Sequence, residues 1–249
     1  MVIGVFRLFC LVLAVSGAGV PAAAQDNDAV TQYSTLDALS GGLYDGDMTV
    51  DEMAGYGDLG LGTFDRLDGE MIVVDGVFWR ARHDGSLDIA PPETETPFAA
   101  VTPFEVDDEL ALPDGLDMAG LAAILSERIG ASNTPIAVRI DGTFRSLTYR
   151  APARQDEPYP PLVEALTSQA VWTVNHVEMT LVGFWYPPWL AGINAPVWHL
   201  HAVSKDRTFG GHVLDLVTDM GVVSLDRSPT VTVIMPTSPA FEGLDLATP

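Results

Sequence analysis

Hydrophobic residues in this chain come mostly in short runs separated by Gly, Pro and Asp-Gly pairs, which reads as strand and turn over most of its length. Asp68-Gly69 and Asp75-Gly76 bracket residues 71–74, and the apolar run resumes at 77–82, so this stretch predicts a tight meander. Further strands are expected at 99–106, 136–140, 143–150, 179–185, 199–204, 212–217 and 231–235. Three segments carry helix signals instead. Thr49 and Glu52 form a capping box for a short helix ending at Gly57. Asp117 caps a run over 118–129 with Leu121, Ile124, Leu125 and Ile129 as its apolar positions and Gly130 as its stop. Pro161 opens a third helix, 162–169, after the turn Pro158-Tyr159-Pro160. The acidic, Pro-rich stretches 90–97 and 107–117 read as surface connectors. Strands in runs and few helices place the chain in the α+β class, with β-rich mixed or antiparallel sheets in two halves, about 25–155 and 156–249.

Charge excludes whole classes of function. The chain has 12 Lys and Arg against 34 Asp and Glu, a formal charge of −22, and Lys205 is its only lysine. Binding a phosphate backbone takes several cations together, so a nucleic-acid partner is excluded, and docking on anionic lipid fails for the same reason. A hydrophobic fraction of 47% with 18% charged residues describes a folded globular chain.

The N-terminus reads as an address. Arg7 precedes the apolar run 8–15, and Ala22-Ala23-Ala24 supplies a small-residue cleavage site, so residues 1–24 are expected to be a secretory signal peptide. The apolar run is well short of the ~20 residues that span a bilayer, so the mature chain is expected to be exported, to periplasm or medium, without a membrane anchor. Cys10, the single cysteine, lies in that segment; the mature chain must hold itself together by core burial and any bound metal.

Three of the five histidines fall close together, in His199-Leu200-His201 and Gly210-Gly211-His212. On a strand, residues i and i+2 share a face, so His199 and His201 point the same way. A four-residue loop over 205–208 would set Ser204 opposite Phe209 and His201 opposite His212, with Cβ atoms ~5 Å apart. All three imidazoles then converge on one side of one hairpin in the C-terminal half. Three nitrogen ligands around an open fourth position are what a catalytic zinc site requires. The Gly pair could instead form a bulge that disturbs this register. A cupin also uses His-x-His, but it follows that motif with a glutamate, where this chain has Ser204, Lys205 and Asp206.

The sequence around these histidines resembles the alpha-acetolactate decarboxylase family. The resemblance rests on Leu181-Val182-Gly183-Phe184-Trp185, on Trp198-His199-Leu200-His201, and on Gly210-Gly211-His212-Val213-Leu214-Asp215. Ser34-Thr35-Leu36-Asp37-Ala38-Leu39, Gly57-Asp58-Leu59-Gly60-Leu61-Gly62-Thr63-Phe64 and Ile140-Asp141-Gly142-Thr143-Phe144 fit in order, as does Arg150 with Gln155 and Pro158-Tyr159. The resemblance implies a zinc enzyme, in the form of a homodimer, that converts 2-acetolactate to acetoin and carbon dioxide. It implies His199, His201 and His212 as metal ligands, and Glu70 and Arg150 as the acid and the cation of the active site. Two features depart from the pattern. The family usually continues past the 241–246 stretch into a segment bearing a further acid; Glu242 and Asp245 lie too early to replace it, so slower proton transfer is expected here. Val197 and Ala202 replace a more usual Gly and bulky aromatic. A second reading of the same residues is a non-catalytic, secreted metal-binding β protein derived from the family.

Overall fold

The computed structural model describes residues 28–246; the expected signal peptide, residues 1–24, lies outside them. In chain order the strands are β1 (Ala29–Tyr33), β2 (Met48–Thr49), β3 (Leu59–Thr63), β4 (Glu70–Val74), β5 (Val77–Ala81), β6 (Leu87–Ile89), β7 (Glu95–Thr96), β8 (Ala99–Thr102) and β9 (Asp108–Leu112). Then follow β10 (Ile136–Ala151), β11 (Ala170–Trp185), β12 (Trp198–Ser204), β13 (Gly210–Arg227) and β14 (Thr230–Ile234). The helices are α1 (Leu36–Ser40), α2 (Val50–Ala54), α3 (Met118–Ile129), α4 (Leu162–Ala165) and α5 (Pro239–Glu242). None of the described helices is long and apolar enough to cross a membrane.

The helix signals act as their chemistry requires. Thr49 N–H donates to Glu52 Oε2 at 2.8 Å while Glu52 N–H donates back to Thr49 Oγ1, and the helix closes at Gly55 rather than Gly57. Asp117 Oδ1 accepts from Gly120 N–H at 2.7 Å and starts α3, whose Leu121, Leu125 and Ile129 are buried. The third helix is shorter than expected: α4 passes into a 3-10 turn at Leu166–Ser168.

Two sheets carry the fold. The larger runs β14-β1-β8-β3-β4-β5-β6, with the expected meander at β4 and β5. The other runs β10-β11-β12-β13-β9, and β10 also pairs with β13, so β10, β11, β12 and β13 close into a ring. Ile136, Val138, Ile140, Leu181, Leu200 and Leu216 belong to the core of this ring together with the buried face of α3. A second core joins the sheets: Ile72 and Val74 of β4 meet Val182 and Phe184 of β11 and Val203 of β12. Each such side chain, fully buried, is worth about 1.5–3 kcal/mol. The alternate β4 residues, Met71 and Val73, pack on the opposite face with Met53 of α2.

Several strand expectations need correction. Asp141-Gly142 was expected to break 136–150 into two strands, yet β10 runs straight through. Gly142 is there for close approach: a Cβ would lie 2.7 Å from Met220 O, and Asp141 is held by Thr180 Oγ1 at 2.7 Å. The expected connector 107–117 contains β9, an acidic edge strand on β13. β11 and β13 extend far beyond 179–185 and 212–217, because their outer portions are largely half-exposed and mix apolar with polar residues, without a continuous apolar run to announce them. Nor do the sheets divide near residue 155: β9 and β10 join the later strands, and β14 returns to pair in parallel with β1.

Candidate metal centre and pocket

The hairpin from β12 to β13 has the register expected of it. Ser204 N–H donates to Phe209 O at 2.9 Å, and His201 pairs with His212. Ser204 Oγ accepts from Thr208 N–H and Phe209 N–H and donates to Asp206 Oδ1, which locks the turn from inside. The Gly pair does not disturb the β12 side, since Ala202 faces Gly211 and Val203 faces Gly210. The bulge falls on the β10 side, where Thr148 faces Asp215 but Tyr149 faces Val213, leaving Leu214 over. Its consequence is chemical. The extra residue shifts the register by one and sets Arg150 opposite His212.

The three imidazoles converge. His199 Nε2 and His212 Nδ1 are 3.2 Å apart, as are His212 Nδ1 and His201 Nε2, and one nitrogen from each ring lies within 4.8 Å of the others. His201, 1% exposed, is oriented from behind by Met71 O on β4, 2.7 Å from its Nδ1. A carbonyl only accepts, so Nδ1 carries the hydrogen and Nε2 keeps its lone pair toward the other rings. Burial, then the positive charge of Arg150, lowers the His199 pKa to about 4. Burial, then His199, takes His201 and His212 well below the ordinary imidazole value. The rings are therefore held neutral, and His201, with its Nδ1 hydrogen given to Met71 O, turns the Nε2 lone pair toward the other two.

That donor set fits a metal. Nitrogens at ~2.0–2.1 Å from a tetrahedral ion stand roughly 3.3–3.4 Å apart, close to the spacing here. Neutral imidazoles suit zinc and also copper, iron or nickel, so the donors define the kind of ion rather than the element.

Glu70 and Arg150 enter the same pocket from other strands. Glu70, 6% exposed, places Oε2 3.5 Å from His201 Nε2 and Oε1 3.8 Å from Arg150 Nη1. Burial pushes its carboxyl up to about 7, against the opposing pull of the Arg150 charge. Arg150 Nη1 is buried with no hydrogen-bond partner among the described residues, as is His199 Nδ1. The cavity holds about 220 Å³ and is walled by Leu36, Leu39, Phe98, Leu162, Leu166 and Val197. Sequence reasoning named Val197 beside the histidines but missed Leu36, Leu39, Phe98, Leu162 and Leu166 as walls, because nothing local shows that their segments meet. It also missed Thr63, whose Oγ1 donates to Gly69 O at 2.8 Å beside Glu70. His83 and His176 lie outside the pocket.

A β-rich fold that gathers three histidines, a buried acid and a buried arginine around a small apolar cavity has a site that could hold a metal ion for catalysis. The family model for alpha-acetolactate decarboxylase matches residues 30–248. The chain is 40% identical to the alpha-acetolactate decarboxylase of Methylococcus capsulatus over 218 residues, 88% of this chain and 84% of that one. It is 38% identical to that of Methanosarcina mazei, over 88% of this chain and 76% of the relative. The crystal structure of alpha-acetolactate decarboxylase from Bacillus subtilis superposes with a TM-score of 0.87 at 33% identity, covering 89% and 94% of the two chains. The chain belongs to the alpha-acetolactate decarboxylase family. It is a decarboxylase, an enzyme of the carboxy-lyase class.

Proposed function

We propose that this protein converts 2-acetolactate to acetoin and carbon dioxide, with zinc held by His199, His201 and His212. The observation that carries the reading is the meeting of those imidazoles with Glu70 and Arg150 in one pocket. A divalent zinc at those nitrogens would supply a Lewis acid beside the ketone that takes up the electron pair of the broken carbon–carbon bond. The buried Nη1 of Arg150, without a hydrogen-bond partner and 3.8 Å from Glu70, offers a donor for the substrate carboxylate or an adjacent oxygen, in the planar fork that such groups accept. Carbon dioxide leaves without the bonding pair, which passes into the neighbouring carbonyl as an enediolate. That species needs one proton on carbon. Glu70 holds a proton near neutral pH because burial disfavours its charge, and its position on β4 would deliver that proton from one side. The leucine and phenylalanine walls keep bulk water from competing with it. Export follows as part of the proposal from residues 1–24.

The test is to strip the purified protein of metal, add zinc back, and assay acetoin from racemic acetolactate. Zinc-dependent acetoin above the spontaneous rate supports the proposal, and each of His199→Ala, His201→Ala and His212→Ala should lower zinc content and turnover together. Full zinc occupancy with only the spontaneous rate would instead favour the non-catalytic metal-binding reading.

A further inference from the structure

A second cavity, about 290 Å³, is lined by Phe64, Asp65, Arg66, Asp68, Arg80, Thr94 and Arg154. Three of the chain's twelve Lys and Arg residues face it against two carboxylates, although acids outnumber those cations 34 to 12 in the whole chain. Both carboxylates are already engaged. Asp68 accepts from Arg80 and Arg82, and Asp65 Oδ1 accepts from Gly46 N–H at 2.8 Å. Arg80 is fixed as part of the wall, stacked over the Phe64 ring at 5.6 Å and paired with Asp88 at 2.8 Å. The other two arginines are not spent in this way. Arg154 has no hydrogen-bond or ion-pair partner among the described residues, and Arg66 has only a 3.6 Å contact to Asp156, itself 90% exposed.

The backbone at Arg66 is set at a cost. Arg66 and Leu67 both sit at positive φ, +61° and +55°, an arrangement L-residues avoid. It sends consecutive side chains to different cavities, Leu67 into the first and Arg66 into the second. Arg66 O accepts from Gln155 N–H at 2.7 Å, which ties the turn to the segment bearing Arg154.

We infer that this second cavity is a binding site for a small oxyanion, a carboxylate or a phosphate, clamped between Arg66 and Arg154. Guanidinium forks match both chemistries, and Arg154, with no partner among the described residues, and Arg66, with only the loose contact to Asp156, are the cations left to take an anion. The site is independent of the decarboxylase reading, since it shares no side chain with the histidine centre.

Calorimetric titration of the zinc-loaded protein with inorganic phosphate and, separately, succinate tests the assignment. Saturable binding of either anion is expected, and the tighter of the two identifies the source as phosphate-like or carboxylate-like. Arg154→Gln, at an exposed position, should weaken it roughly ten- to a hundredfold with zinc content unchanged. Arg66→Asn should do the same, asparagine being tolerant of the positive φ there. No saturable binding of either anion would overturn the inference. So would binding that survives both substitutions, which would place the anion at the histidine centre instead.

Discussion

Gly183 is where sheet geometry and the metal centre are most tightly joined, and replacing it with alanine should damage both. Gly183 on β11 faces Leu200 on β12, the residue between His199 and His201. An added Cβ would lie 1.9 Å from His199 O, 2.9 Å from His199 C and 3.0 Å from Leu200 Cα. All three obstacles are backbone, so no rotamer change can relieve the clash. Ordinary contact begins at 3.4 Å, so β12 must retreat by about 1.5 Å locally. Neighbouring strands are only ~4.7–4.9 Å apart, so that retreat opens the ladder on both sides of the pair. Overpacking of this kind costs about 1–3 kcal/mol, and two broken backbone hydrogen bonds add roughly 1 kcal/mol each, for about 3–5 kcal/mol in total. A metal tolerates ligand displacements of only ~0.2 Å, so zinc affinity should fall as well. Urea unfolding read by circular dichroism, with zinc content measured on the same samples, checks both effects. With a slope of roughly 2–3 kcal/mol per molar, the midpoint should drop by about 1–2.5 M. Gly76→Ala is the control: its Cβ would meet nothing nearer than 4.0 Å, so only its φ of +75° is penalised, by about 1 kcal/mol, and zinc should stay bound. A Gly183→Ala protein with the original midpoint and full zinc would refute the reasoning.

Glu70→Gln keeps the shape of the side chain and removes its proton, so turnover should drop ~10²–10⁴-fold at unchanged zinc content. The limb of the rate profile that falls with rising pH, as Glu70 ionises, should vanish with it; a variant of full rate and full stereoselectivity would exclude Glu70 as the donor. Asp226 tests the electrostatics away from the site. Burial at 2% exposure pushes its carboxyl up to about 7, with Asp107, Asp28 and Glu105 adding to the rise. The folded state therefore binds a proton that the unfolded chain, at ~3.9, does not, and stability is lost as pH rises from about 4 to 7. Three units amount to at most about 4 kcal/mol, so Asp226→Asn should stabilise the protein at pH 8 and give almost nothing at pH 4. Equal gains at both pH values would show that packing, not charge, decides the position.

Much of the candidate metal centre was legible because its parts are local. His199, His201 and His212 lie on one hairpin, and a period of two together with a four-residue turn is enough to set them facing. The same locality made α3 and the capping box of α2 readable, since a helix start depends on residues three positions apart. Glu70 and Arg150 are different. Read alone, each is an ordinary charged residue beside a turn or on a strand, and only the family resemblance singled them out. What brings Glu70 to the histidines is the packing of β4 behind β12, where Met71 O meets the His201 ring. What brings Arg150 there is the bulge at Leu214, and nothing in the composition of β13 marks that residue as the extra one. Gly142 shows the converse. Asp-Gly signals a turn when the glycine's backbone freedom is what matters, but here its missing Cβ is what matters, because Met220 and Gly221 pass too close for any side chain. The sequence by itself determined most strand positions, the hairpin turn and the facing of the three histidines along it. Only the tertiary structure decided which strand passes behind which, because that choice depends on contacts between residues scores of positions apart, and with it came the acid, the arginine and the walls of the pocket.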